Sequence, residues 1–361
     1  MKRIFLFFIP LSFCVTANAQ RNDEVWYSFY NQDSTLVGFH DGNGVEKIRP
    51  KFTMLAASRF EHIIAVTEKG NPKAKSYYLT KAGRIVGRDS LHYFDNGMDC
   101  ESEGFIRFRD HATDKAGLFD RNGDIAVPAQ YNDLTRVHNG LVMAIKDAVK
   151  KQWGEHYRWV GGSEVLLDTA NTILIDSFPY NDGLNLYAPH ISEKPEKDTA
   201  IWKTFLGRNG QYYAFIDYEK EFKLWLTDSL LPGMTMETLL DASNETIVWQ
   251  SPGDWEKTKK DLFLKNNFDL LQKGMREILQ PDCNYFISKD GLNPFIYEEP
   301  QYAQYIDDDQ NPGAWRYPVM EIVVSHGGKG DFSQNHYDFL RTDQGYKLIS
   351  VTIRNGKIKA G

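Results

Sequence analysis

Trp153, His156, Tyr157 and Trp159 fall within one short stretch, DAVKKQWGEHYRWVGGSE, beside Lys151, Glu155 and Arg158. Two indoles and a phenol with cations between them are the residue types that stack on a sugar ring, grip a peptide or anchor a partner protein. The plainer alternative is a long hairpin, with Trp159 beneath a sheet and Gly161-Gly162 in its turn. A second pair of residues suited to chemistry is His326 and His336, which flank GGKGDFSQN with Asp331 and Asp338 nearby. Joined by a hairpin they could form a metal or acid–base site, although a histidine pair lacks the third ligand that a zinc centre needs. Asp307-Asp308-Asp309 with Asn311 hints at calcium. However, Pro312 stands where an EF-hand loop needs glycine and Pro318 where it needs the closing glutamate, so a solvated acidic loop is the better reading. There is no His-Glu-x-x-His, no Gly-x-Ser-x-Gly, no phosphate loop and no Cys-x-x-Cys. Neither a cofactor nor a catalytic residue is implied.

The elements that must carry these residues are visible in AGLFDRNGDIAVPAQYND, from Ala116 to Asp133. An apolar run reaches Asp120, a turn ends in Gly123, a return strand follows, and Pro128 and Tyr131 close it. Aspartate accepts backbone amides in such a turn, and glycine takes the positive φ that other residues resist. Pro128 has no N–H to give the ladder. The frame recurs in VGFHDGNGVEKIRPKF (Val37 to Phe52), more weakly in SYYLTKAGRIVGRDS (Ser76 to Ser90), and again in VLLDTANTILIDSFPYND (Val165 to Asp182). Gly83 lies 39 residues after Gly44, and Gly123 lies 40 after Gly83. Asp168 follows Asp120 by 48, because the aromatic stretch is inserted before it. A near-constant period of this length indicates repeats that share a core, since one hairpin alone is marginal.

These units resemble the WG, or KWG, repeat family. Its units read Tyr/Trp-Gly-apolar-Ile-Asp-x-x-Gly, then Val-Ile-Pro-x-x-Tyr-Asp and a Gly-Leu strand. Ala116-Gly117-Leu118-Phe119-Asp120 with Gly123, Val127-Pro128 and Tyr131 fits closely, and Val37-Gly38-Phe39 with Asp41, Gly44, Pro50 and Phe52 fits as well. The units at Ser76 and Val165 are degenerate. The resemblance covers about Glu24 to Pro189. It implies a binding or structural module and brings no catalytic signature.

Beyond HISEKPEKDTA (190–200), a polar stretch that reads as a linker, the frame disappears. TFLGRNGQYYAFID predicts a hairpin turning at Arg208-Asn209-Gly210. YEKEFKLWLTDSLL suits helix or strand. From Thr258 to Leu279 the apolar positions Leu264, Phe268, Leu271, Met275 and Ile278 form one helical stripe, with Thr258 to Asp261 as its N-terminal cap and Pro281 after its end. CNYFISKDGLNPFIY predicts a hairpin turning at Lys289-Asp290-Gly291, YPVMEIVVSH a buried strand, and HYDFLRTDQGYKLISVTI a hairpin turning at residues 342–345.

The expected fold is therefore mainly β plus α+β. A β-hairpin repeat array (20–189) and the linker precede an α+β domain (201–361) with one long helix on an antiparallel sheet. At the start of the chain, Lys2 and Arg3, the apolar IFLFFIPLSFCV and Ala17-Asn18-Ala19 predict a signal peptide cleaved after Ala19, hence a periplasmic or secreted protein of a Gram-negative envelope. Phe13 before Cys14 does not suit a lipid-attachment site. Net charge is -7, and loss of Lys2 and Arg3 makes the remaining chain more acidic. That argues against nucleic acid, and no later run is long enough to insert in a membrane. Cys100 and Cys283 are expected as separate thiols in different domains. Three functions remain open: an exported noncatalytic binding protein that holds an envelope protein, glycan or peptide through the repeat surface, a hydrolase or lyase with its site in the C-terminal domain, or a purely structural envelope component.

Overall fold

The computed structural model describes residues 24–70, 73–94, 97–251, 253–306, 313–328 and 331–359. The expected signal peptide, Cys14 and the acidic run Asp307-Asp308-Asp309 with Asn311 and Pro312 lie outside the described residues. Strands account for 47% of the described residues and helices for 14%, which makes the fold mainly β.

The N-terminal half is a succession of antiparallel sheets. The first joins Trp26–Tyr30, Val37–His40, Glu46–Leu55, Ile63–Glu68 and Lys75–Thr80, with the short strands Arg59–Phe60 and Ile85–Val86 at its edges. The second is Phe105–Asp110, Lys115–Asp120 and Ile125–Tyr131. The third is Asp133–Leu134, Leu141–Lys146, Ser163–Asp168 and Ile173–Asp176.

One turn chemistry recurs between the strands. Asp41, Asp120 and Asp168 each use Oδ1 to accept the N–H groups two and four residues on, at 2.8–3.0 Å. The backbone closes in the same way each time: the N–H three residues on donates to the aspartate carbonyl, at 2.9–3.1 Å. Gly44 and Gly123 hold positive φ at that position, and Asn171 does so in the third turn. The glycine inside the preceding strand has a different cause. Both return strands slip register opposite it. A Cβ on Gly38 or Gly117 would run into the carbonyl oxygen of Ile48 or Val127.

The stretch expected as a linker contributes structure. His190–Ser192 pairs with Tyr212–Ile216, which pairs in turn with Trp202–Leu206. The turn between the last two, at Gly207 to Gln211, repeats the backbone closure of the earlier turns. Phe205, Tyr213 and Phe215 of this small sheet pack with Leu141, Leu166 and Phe178. Apolar residues, rather than the polar run that catches the eye, decide where this segment goes.

The C-terminal sheet has six strands in the order Trp255–Lys259, Ser243–Gln250, Gly345–Thr352, Ser333–Thr342, Val319–His326 and Asn284–Asp290. All neighbours are antiparallel except Ser243–Gln250 with Gly345–Thr352, which run parallel. The YEKEFKL segment is helix α1 (Tyr218–Leu224), continued by a π-helical turn to Leu230. Helix α2 is Met236–Asp241 and the long helix α3 is Lys260–Arg276. α3 buries Leu264, Leu271 and Met275, with Ile278 just beyond it, against Met320, Ile322, Tyr337 and Phe339; Phe268 is only partly covered.

Two local expectations are corrected. No side chain caps α3, whose N-cap position falls on Lys259, and Thr258 Oγ1 accepts Trp249 Nε1 at 3.0 Å instead; the capping box belongs to α2, at Thr235 and Thr238. The chain does not reverse at Lys289-Asp290-Gly291. Asp290 ends a strand paired with Val319–His326, and the following residues bury Leu292, Tyr297 and Tyr302 over Val248 and Ile349 before returning. The turns at Arg208-Asn209-Gly210 and Thr342 to Gly345 form where the sequence places them.

Candidate functional site

The aromatic insertion is a two-stranded hairpin, Val149–Trp153 with His156–Val160. Its turn lies at Gly154-Glu155. Gly161 and Gly162 instead carry the chain back to the sheet, with positive φ at both, and the amide of Asn132 clamps the hairpin base by bonding Ala148 N and O at 2.8 and 3.0 Å. Side chains alternate between the faces of a strand, so the four singled-out residues part company. Tyr157 and Trp159 share one face with Lys150, whose ammonium sits 3.7 Å from the Tyr157 ring centroid and 3.0 Å from Asp114 Oδ2. Trp153 and His156 lie on the other face, where Arg158 covers the Trp153 ring at 4.1 Å. Trp153 is 65% exposed.

Tyr157 and Trp159 face a cleft of about 1160 Å³, whose lining includes neither Trp153 nor His156. The floor and near wall come from the N-terminal half: Arg59, Glu61, His92, Glu101, Arg107, Arg109, residues 133–136, His138 and residues 143–145. The opposite wall comes from the C-terminal half, at Gln304, Ile306, Gly313, Trp315, Arg316 and Tyr317. That wall is held in place from α1: Tyr218 Oη donates to the Trp315 carbonyl at 2.8 Å. Glu221 of the same helix accepts Arg341 through both oxygens and Tyr346 through its hydroxyl, which fixes α1 to the sheet. Trp315 stacks on His138 with ring centroids 4.2 Å apart, so one indole face is already covered. Burial and the nearby Arg136 push the His138 imidazole down to about 3, which keeps it neutral at ordinary pH.

The floor is an ion network. Asp99, 2% exposed, accepts Arg107 through both oxygens at 2.6 and 3.0 Å and Arg136 at 3.1 Å. Burial alone would raise its carboxyl; the two guanidiniums overcome this and hold it well below the usual carboxylate range. Arg109 bonds Asp114 and Asp133, and Asp133 also meets His92 Nε2 at 3.3 Å. Glu61, His62 and Glu101 present three donor atoms within 4.8 Å of one another. Hydrogen bonds account for that clustering. His62 Nδ1 lies 2.6 Å from Glu101 Oε1, Glu101 Oε2 accepts the N–H groups of His62 and Ile63, and Glu61 pairs with Arg59 at 3.0 Å. The trio ties one sheet to the loop before the next.

His326 and His336 do not form a joint site. His336 pairs in register with Val323, whereas His326 shares the parity of Ile322 and Val324, which face α3. The two imidazoles thus point to opposite faces of the sheet. His326 Nε2 meets Glu277 at 3.0 Å, beyond the end of α3, and His336 Nδ1 meets Glu321 at 2.6 Å. Asp331 is used in a turn, accepting Gly328 N at 2.8 Å. Asp338 stands beside Glu321 and His336. Burial, then the Glu321 charge, pushes its carboxyl up to about 7, and its Oδ1 has no hydrogen-bond partner. No disulfide joins Cys100 and Cys283; Cys100 is buried and Cys283 is partly exposed.

Asp99, Arg107, Arg136, His138, Trp315 and Arg316 were not singled out in the sequence. Arg107 and Asp99 leave a trace only as charges beside apolar strand positions. Nothing local marks Trp315 and Arg316, which reach the cleft from a distant part of the chain. No family model matches this chain, and no curated protein or solved structure matches it either.

Proposed function

We propose that the chain is an exported, noncatalytic binding protein, and that its cleft holds an extended peptide segment of a partner protein. Its N-terminal half is read as an array of WG-like hairpin repeats; the shared turn bonds of Asp41, Asp120 and Asp168 and the equivalent strand glycines Gly38 and Gly117 support that reading. The observation that carries the function is the composition of the cleft. Tyr93, Tyr157 and Tyr180 present rings that are 49%, 49% and 58% exposed, among arginines of which four are fixed by carboxylate partners. Tyrosine, tryptophan and arginine are the side chains that anchor protein partners. A pyranose would need a free flat platform. His138 covers one face of Trp315, and Lys289 Nζ lies 5.8 Å from its ring centroid, which favours a peptide over a sugar.

The test is selection of a random peptide library on the intact chain, followed by binding of the enriched peptides to Tyr180→Ala and Tyr157→Ala variants with unchanged melting temperature. Loss of binding by about tenfold or more is expected. Equal binding to the variants, or selection of nothing, removes the reading.

A second reading, a hydrolase or lyase in the C-terminal domain, rests on Asp338, whose raised pKa beside the Glu321–His336 pair is the kind of perturbation that active sites use. Turnover of an ester, amide or glycoside panel that disappears in Asp338→Asn would establish it. No turnover of any member removes it.

A further inference from the structure

Five arginines line the cleft, and four of them have a carboxylate partner. Arg59 meets Glu61, Arg107 and Arg136 meet Asp99, and Arg109 meets Asp114 and Asp133. Arg316 differs. Its side chain is exposed and makes no ion pair among the described residues; its guanidinium lies 4.9 Å from the Tyr317 ring centroid and 5.8 Å from that of Tyr187. The nearby Asp343 carboxylate is engaged by the Tyr317 hydroxyl at 3.3 Å. Two aromatic rings thus hold the Arg316 guanidinium, and its side-chain N–H groups make no hydrogen bond among the described residues. Its backbone is fixed as well, since Tyr218 Oη lies within 3.4 Å of the Arg316 carbonyl and Arg316 N donates to Gly313 O at 3.0 Å.

Resting on the peptide-binding reading, we propose that the cleft selects acidic peptides, and that Arg316 is the specificity residue, taking an aspartate, glutamate or C-terminal carboxylate of the ligand in a two-pronged hydrogen bond. A planar guanidinium matches a carboxylate, and a charge-assisted pair is the strong kind of hydrogen bond. Pre-ordering by the tyrosines lowers the entropy lost on binding. The chain's net charge of -7 does not forbid an acidic ligand. At physiological salt a charge beyond about 8 Å is largely screened, so the local guanidinium decides.

The probe is the set of peptides enriched by library selection on the intact wild-type chain. Each acidic residue, and the C-terminal carboxylate, is replaced in turn by its amide, and binding is measured to wild type, Arg316→Gln and Arg316→Lys. The expected result is enrichment of acidic residues at one position. Amidation at that position should weaken wild-type binding by about tenfold or more and leave binding to Arg316→Gln unchanged, with Arg316→Lys in between. Peptides that bind through Tyr157 and Tyr180 but show no acidic preference, or no coupling to Arg316, overturn this inference and leave the peptide-binding reading standing. Selection of no peptide overturns both.

Discussion

Asp338 shows what a single misplaced charge does to this fold. Its carboxyl is desolvated and faces Glu321 across the strand pair, with Asp290 adding to the same field; Ser350 and His336 oppose the shift but do not cancel it. The folded value, about 7, lies above the ordinary 3.8. Between those two values the folded state binds the proton more tightly than the unfolded chain. This contribution to stability is therefore complete below about pH 4 and is lost as pH rises towards 7, by an amount on the order of 4 kcal/mol at most. His336, raised by Glu321, acts in the same direction higher up, and Glu321, lowered by His336, acts in the opposite direction at low pH. Asp338→Asn keeps the shape and removes the titration. We expect its melting temperature to fall less steeply than that of wild type between pH 4 and 7, and to exceed it at pH 8. Parallel melting curves for the two proteins across that range would show that Asp338 is not the titrating group.

At the level of elements, the strand glycines give the sharpest prediction. Gly117 has the Val127 carbonyl and the Phe108 ring against it, whereas Gly42, in an exposed turn, has open space where a Cβ would go. Gly117→Ala should cost about 1–3 kcal/mol, and Gly42→Ala should stay within about 0.5 kcal/mol, both read by chemical denaturation. A loss at Gly117 no greater than at Gly42 would show that the close approach does not decide Gly117, since backbone entropy alone favours alanine.

The same contrast explains how much could be read beforehand. Asp-x-x-Gly turns, the Leu264–Leu271–Met275 stripe and the turns near Gly210 and Gly345 are local, and all form where the sequence places them. The misses are sites where distant partners decide. Thr258 looks like a cap but is taken by Trp249. Residues 190–192 look like a linker but find an open strand edge. In the hairpin Val149–Val160 the residue types were legible, but the turn position sends Trp153 and His156 away from the cleft that Tyr157 and Trp159 face. Trp315 and Arg316, which line the opposite wall of that cleft, carried no signal at all.

For the whole molecule, the question is where the chain can be cut. Phe178, Leu184 and Leu186 are completely buried, and they pack with Phe205, Tyr213 and Phe215. A chain ending at Pro189 loses that cover and exposes them. We expect it to be poorly soluble and to lack a cooperative thermal transition, whereas a chain ending at Asp217 retains the small sheet and should melt cooperatively. A chain ending at Pro189 that melts at the wild-type temperature would place the boundary back at that residue.

The stack of Trp315 on His138 has a consequence for the order of events during folding. The two rings meet across about half of the chain's length, so the loop they close is costly and their encounter comes after the local hairpins have formed. Until the last third of the polypeptide exists and has folded onto α1, one side of the cleft is missing. A nascent or half-folded molecule would thus lack a complete cleft, and only the finished one presents both of its walls.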